Sequence, residues 1–259
     1  MDEVLPLFKS QYSLGRSILT LENPDDMLEK GPDSIVDIAE KNDLKELFLV
    51  DDSMTGFLQA YKNLSEKSIK LIFGLRVTVC PDIGEKSEIS INESCKYIIL
   101  SKNMKGYERL IKISSLAAKK GFYYEPRIDF KWLKRNWDDE DLVLVVPFYD
   151  SFLFYNTLTT RICLPNFEFT QPVFFEENNS LPFDEIIKSS VMSFTEGGEL
   201  HPVIKTQSIF YNDKKDFKSY LTFRCINNRS SLEKPQLNHM GSNEFCFQSW
   251  KEKNEKNRN

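Results

Sequence analysis

Residues 34–52 read SIVDIAEKNDLKELFLVDD, and this stretch carries the pattern on which the fold rests. In its first half Ile35, Ile38 and Ala39 recur at helical spacing, with Asp33 or Ser34 placed to cap the first turn. In its second half Leu47-Phe48-Leu49-Val50 is an unbroken apolar run that ends in Asp51-Asp52. A strand covered by helices on both faces has no polar side, so this run predicts a buried strand of a parallel sheet.

The same alternation recurs on both sides. Phe57, Leu58, Tyr61 and Leu64 mark a second helical face, 70–73 a second strand, and 76–80 a continuation of the sheet after Gly74. Residues 96–101 predict a strand. Residues 104–119 predict a helix with Tyr107, Leu110, Ile111, Ser114 and Ala118 along one side. A short helix over 128–137 and a strand over 142–146, ended by Pro147, come next. The strand 173–175, the helix 183–192, the strand 201–205 and the helix 216–226 complete the series. Strand–helix alternation of this kind means α/β, and closure into a barrel removes the exposed edges. The chain of 259 residues is close to the upper size of one hydrophobic core, roughly 250–300 residues. The expectation is one barrel domain over 1–249, with insertions near 21–32 and 82–92 and a polar, flexible tail over 250–259.

Composition excludes several functions. The net charge of −5 makes the chain a poor counter-ion for nucleic acid outside a local patch. Ten glycines, without a Walker motif or GxGxxG, argue against a phosphate-cradling loop. Cys80, Cys95, Cys163, Cys225 and Cys246 are odd in number, scattered and without CxxC, as reduced thiols are. Met1-Asp2-Glu3 has the wrong charge for a secretory signal, and the longest apolar stretch, 142–146, is far below the roughly 20 residues that span a bilayer. A soluble, cytoplasmic chain without membrane contact is expected. Two histidines, His201 and His239, are too few for a Ser-His-Asp set or a His-based metal centre, and both read as isolated surface residues.

Several segments resemble the PHP domain at the N-terminus of bacterial replicative DNA polymerase III alpha subunits. Residues 10–14 (SQYSL) resemble the family's HSEYSLLDG motif, 48–52 (FLVDD) the strand ending in TDH, and 72–77 (IFGLRV) the IIGVEV strand. Residues 97–110 resemble HLVLLAKNEEGYKNL, and 112–128 (KISSLAAKKGFYYEPRI) are the most specific match, since GFYYEPRID is hard to reach by chance. Residues 202–206 sit like PVVAT, and 151–170 match least. The resemblance implies a distorted (β/α)7 barrel in which nine His, Asp, Glu or Cys ligands hold a cluster of metal ions. It places those ligands at Leu7, Lys9, Arg16, Asp52, Arg76, Lys96, Phe148, Ser208 and Phe210, of which Asp52 alone is a metal-ligating type. It also implies that the chain stops where family members continue into the polymerase palm.

No catalytic residue, bound metal or cofactor is therefore expected. Lys9, Arg16, Arg76 and Lys96 either pair with Asp51 and Asp52 or converge on a bound anion. The resemblance implies a catalytically inactive scaffold or accessory factor in DNA replication, a phage or mobile element being one source. Its partner would be a polymerase core or a proofreading exonuclease. The competing expectation is a divergent metal-dependent phosphoesterase or exonuclease using Asp51 and Asp52 with Mg²⁺. Weaker signals are Lys131, Lys134 and Arg135 beside Trp132 and Trp137, read as a solvated helix with inward rings rather than a single-strand platform. The acidic run 138–141 reads as solvated, and Gly197-Gly198 as a turn.

Overall fold

In the computed structural model, which describes residues 4–26, 28, 31–233 and 240–258, the opening pattern becomes helix α1 (Ile35–Lys41) and strand β2 (Glu46–Asp51). Ser34 caps α1, its Oγ accepting from the amide of Val36 at 3.1 Å. The other strands among the described residues are β1 (Leu5–Phe8), β3 (Lys70–Cys80), β4 (Cys95–Ser101), β5 (Arg127–Asp129), β6 (Leu142–Val146), β7 (Val173–Glu176) and β8 (Val203–Ile209). Their order is β2-β1-β8-β7-β6-β4-β3-β5, and β2 also pairs with β3. Seven strands thus close into a mixed barrel surrounded by helices, with β5 added beside β3.

Two compact units divide the chain. The first comprises 1–73, 177–184 and 205–259. Here β1 pairs parallel with β2 (Leu7 opposite Phe48) and with β8 (Leu7 opposite Ser208). Its helices are α1, α2 (Phe57–Glu66), α8 (Phe217–Asn227) and α9 (Phe247–Arg258), around a core that includes Phe8, Leu49, Val36, Leu64 and Ile209. The second comprises 74–176 and 185–204. It holds α3 (Glu88–Asn92), α4 (Met104–Lys119), α5 (Phe130–Asn136), α6 (Phe152–Leu158) and nearly all of α7 (Asp184–Phe194), with Tyr97, Ile99, Leu110, Leu144 and Phe174 fully buried.

Four expectations need correction. The sheet is mixed, because β4 runs antiparallel to both β3 and β6. The 81–94 connection carries only α3, about 7–8 Å of helix, too short to return along the roughly 36 Å of β3 for a parallel pairing. The 128–137 helix begins at Phe130, since Arg127–Asp129 pairs with β3 and the Asp129 carboxylate accepts from the Trp132 amide at 2.8 Å. The tail is helical rather than loose: α9 buries Phe247 against Phe8 (ring centroids 5.8 Å apart), and the Trp250 indole donates to the Val4 carbonyl at 2.7 Å. His201 is half-buried rather than isolated on the surface. It packs among Phe167, Phe174 and Phe194, ring-on-ring with Phe194 at 6.0 Å, because the apolar 152–174 segment folds against it. His239 lies outside the described residues.

Candidate functional site

Strand β2 delivers two adjacent acids with opposite fates. Asp51 is fully buried, and its carboxylate accepts from the Ser10 amide (2.9 Å), Ser10 Oγ (2.6 Å) and Ser13 Oγ (2.8 Å). Burial pushes its carboxyl above the ordinary range, against the opposing pull of Lys9 and these hydrogen bonds. Asp52 is exposed and takes two cations, Lys9 Nζ at 3.3 Å and Arg16 Nε at 3.6 Å. The expected pairing with cations therefore applies to Asp52, whereas serines satisfy Asp51. In the same unit Leu7 and Phe210 are core side chains, Phe210 stacking on Phe245 at 5.2 Å. The Ser208 hydroxyl and amide donate to buried Glu177 at 2.8 and 2.9 Å. Burial raises the Glu177 carboxyl as well.

In the second unit Arg76, at the middle of β3, donates to the Asp150 carboxylate in the turn after β6. Lys96, at the start of β4, reaches Thr78 Oγ1 and the Glu125 carboxylate, the latter at 2.6 Å. Phe148 is fully buried against Tyr149. The four cations thus meet three different carboxylates, Asp52, Asp150 and Glu125.

Residues 29–155, just under half of the chain, match the PHP domain family. Over these residues the chain is similar to that family. It is 34% identical over 111 residues to the DNA polymerase III subunit alpha of Aquifex aeolicus, covering 40% of this chain and 10% of that protein. The corresponding protein of Chlamydia muridarum is 36% identical over 86 residues (32% of this chain, 7% of that protein). That of Chlamydia pneumoniae is 30% identical over 128 residues (49% and 10%). The chain therefore spans a tenth or less of the length of these relatives. The PHP match includes Asp52, Arg76, Lys96 and Phe148, whereas Leu7, Lys9, Arg16, Ser208 and Phe210 lie outside it.

The residues at the positions where the PHP resemblance implies ligands do not fit a metal cluster. Hard cations need several carboxylates and softer ones imidazole or thiolate. These positions offer one carboxylate, engaged by Lys9 and Arg16, together with two further cations, a hydroxyl and three apolar side chains. Among the described residues the one group of three acids with ligand atoms within 4.8 Å of one another is Asp33, Asp213 and Asp216, none of them at a PHP ligand position.

Sequence reasoning missed Asp150, Glu125 and Glu177. One signal was present for Glu177: FLVDD and VFFEE (173–177) are both apolar strands closed by two acids. Two weaker signals also resolve differently from expectation. The 138–141 run is not merely solvated, because Arg109 bridges Asp138 and buried Asp141 at 2.8 Å each. Trp132 is half-buried, with Lys120 and Arg135 over its ring at 4.5 and 4.9 Å. Gly197 and Gly198 form a turn with φ of +69° and +96°.

Proposed function

We propose that this PHP domain is a non-catalytic, protein-binding scaffold, an accessory factor in DNA replication related to polymerase alpha subunits. One observation carries the reading: Lys9 and Arg16 both bind Asp52, the single carboxylate among the PHP ligand positions. Like charges about 4 Å apart repel by roughly 4 kcal/mol at an effective dielectric of 20, so a divalent ion entering beside two cations meets a steep barrier. The partner we propose is a polymerase core or proofreading exonuclease, met in the cytoplasm. Among the described residues no helix is long and apolar enough to cross a membrane. Exposed Leu58 and Tyr61 on α2 supply apolar contact area for a protein partner.

Elemental analysis and a phosphomonoesterase and exonuclease assay of the purified chain test the reading. Sub-stoichiometric metal and no turnover are the expected results. Stoichiometric bound metal, or turnover abolished in Asp52→Ala, overturns it in favour of a carboxylate-based phosphoesterase. Binding of the purified chain to a polymerase alpha subunit or its exonuclease then tests the scaffold role directly.

A further inference from the structure

A cavity of about 120 Å³ lies beside the start of β4 within the second unit. Lys96, Arg127, Arg161 and Glu125 all line it, so its wall carries three cations against one acid. Glu125 is already committed to Lys96 at 2.6 Å. The two arginines have no such partner. Arg127 is 1% exposed, yet its guanidinium donates only to neutral oxygens: Gly121 O at 3.3 Å, Ser90 Oγ at 2.7 Å and Glu85 O at 2.9 Å. Arg161 donates to Ile91 O at 3.2 Å and lies 4.2 Å from the Tyr155 ring centroid. Among the described residues neither arginine has a carboxylate within 4 Å.

A buried guanidinium held by neutral groups alone is costly, because carbonyls and hydroxyls replace its hydration but not its counter-charge. Arg127 uses one N–H on each of its three nitrogens, leaving two of its five donors for another acceptor. The cavity has room for several waters, and so for one tetrahedral oxyanion. Its surplus of two positive charges matches a dianion rather than chloride or a carboxylate. The Thr78 hydroxyl, which accepts from Lys96, keeps its own proton to donate into the same cavity.

We propose that this cavity binds a phosphate dianion, either inorganic phosphate or the terminal group of a phosphomonoester, through Arg127, Arg161 and Lys96. The site involves no metal and stands apart from the scaffold reading, so either can fail without the other. It also revises the anion set expected from the sequence: of Lys9, Arg16, Arg76 and Lys96, only Lys96 lines this cavity.

Calorimetric titration of the full chain with inorganic phosphate near pH 8, where the ligand is a dianion, tests the proposal. Saturable binding is expected, weakened about tenfold or more in Arg161→Gln and again in Lys96→Gln, with competition by sulfate. Arg161 is partly exposed and holds one backbone contact, so its variant keeps the fold, checked by circular dichroism. AMP binding more tightly than inorganic phosphate assigns the phosphomonoester; equal or weaker binding assigns the free ion. No binding by the folded wild type up to about 10 mM phosphate, or unchanged affinity in both variants, overturns the site.

Discussion

Arg76 donates to the carboxylate of Asp150, 74 residues away, with 6% and 19% of the two side chains exposed. Asp150 holds a left-handed backbone (φ +62°), and its carboxylate also accepts from the Tyr155 hydroxyl at 3.3 Å. Removing one member of so buried a pair takes a charged partner from the other, at a typical cost of about 3–5 kcal/mol. Arg76→Ala is expected to lose stability of that order in urea unfolding. Arg76→Glu, which restores the acid found at this position in the PHP resemblance, is expected to lose more, because it faces Asp150 with a like charge. An Arg76→Glu variant as stable as wild type shows that the pair does not brace the fold.

Asp52 anchors a second ion cluster, and its substitution separates charge from shape. Asp52→Asn preserves volume but removes the carboxylate that Lys9, whose side chain is 8% exposed, shares with Arg16. A loss of about 1–3 kcal/mol is expected. Added salt should recover part of it by screening the more exposed Arg16. Urea midpoints at low and high ionic strength measure both effects, and a variant more stable than wild type overturns the assignment.

The strands were legible because apolar runs such as 47–50 admit one reading at their length. Helix faces were less so. Leu58 and Tyr61 face solvent while Phe57, Ala60 and Leu64 are buried, since neighbouring apolar residues allow two orientations and packing of Phe57 on Phe73 (5.1 Å) selects one. In α4 the buried residues are Gly106, Leu110, Ile113 and Ala117, so the true face is again shifted from the expected one. Cations at the PHP ligand positions could be read from the resemblance. Asp52 as the partner of Lys9 and Arg16 was legible too, whereas Asp150 and Glu125 were not, because they reach Arg76 and Lys96 only through strand order and turns remote in sequence.

His201 gives the domain an acid-sensitive element. Its Nδ1 has no hydrogen-bond partner, and burial among aromatic rings holds the imidazole below its ordinary value of 6.5. The unfolded chain therefore takes up the proton first. The stability tied to the neutral ring is complete above about pH 6.5 and is lost as pH falls from there toward the lower folded-state value. Asp51 and Glu177 have the opposite sign, their carboxyls being raised, so wild type alone does not isolate the effect. The melting temperature of wild type relative to His201→Phe is expected to fall between pH 7.5 and pH 5. A constant difference would show that the histidine stays uncoupled from folding.

Gly106, in the first turn of α4, sets propensity against packing. Its amide accepts the cap by donating to Asn103 Oδ1 at 2.9 Å, and a Cβ on this residue would lie 2.3 Å from the Asp141 carbonyl oxygen. Helix propensity alone favours Gly106→Ala by about 1 kcal/mol. The clash is with backbone, in a turn already fixed by Arg109 on Asp138 and Asp141, so it cannot be relieved by a rotamer change. Overpacking typically costs about 1–3 kcal/mol, more than propensity returns, and a net loss is expected. The sign of the change in the urea midpoint decides between them: stabilisation by alanine would mean that α4 stands further from the 138–141 turn than this packing requires.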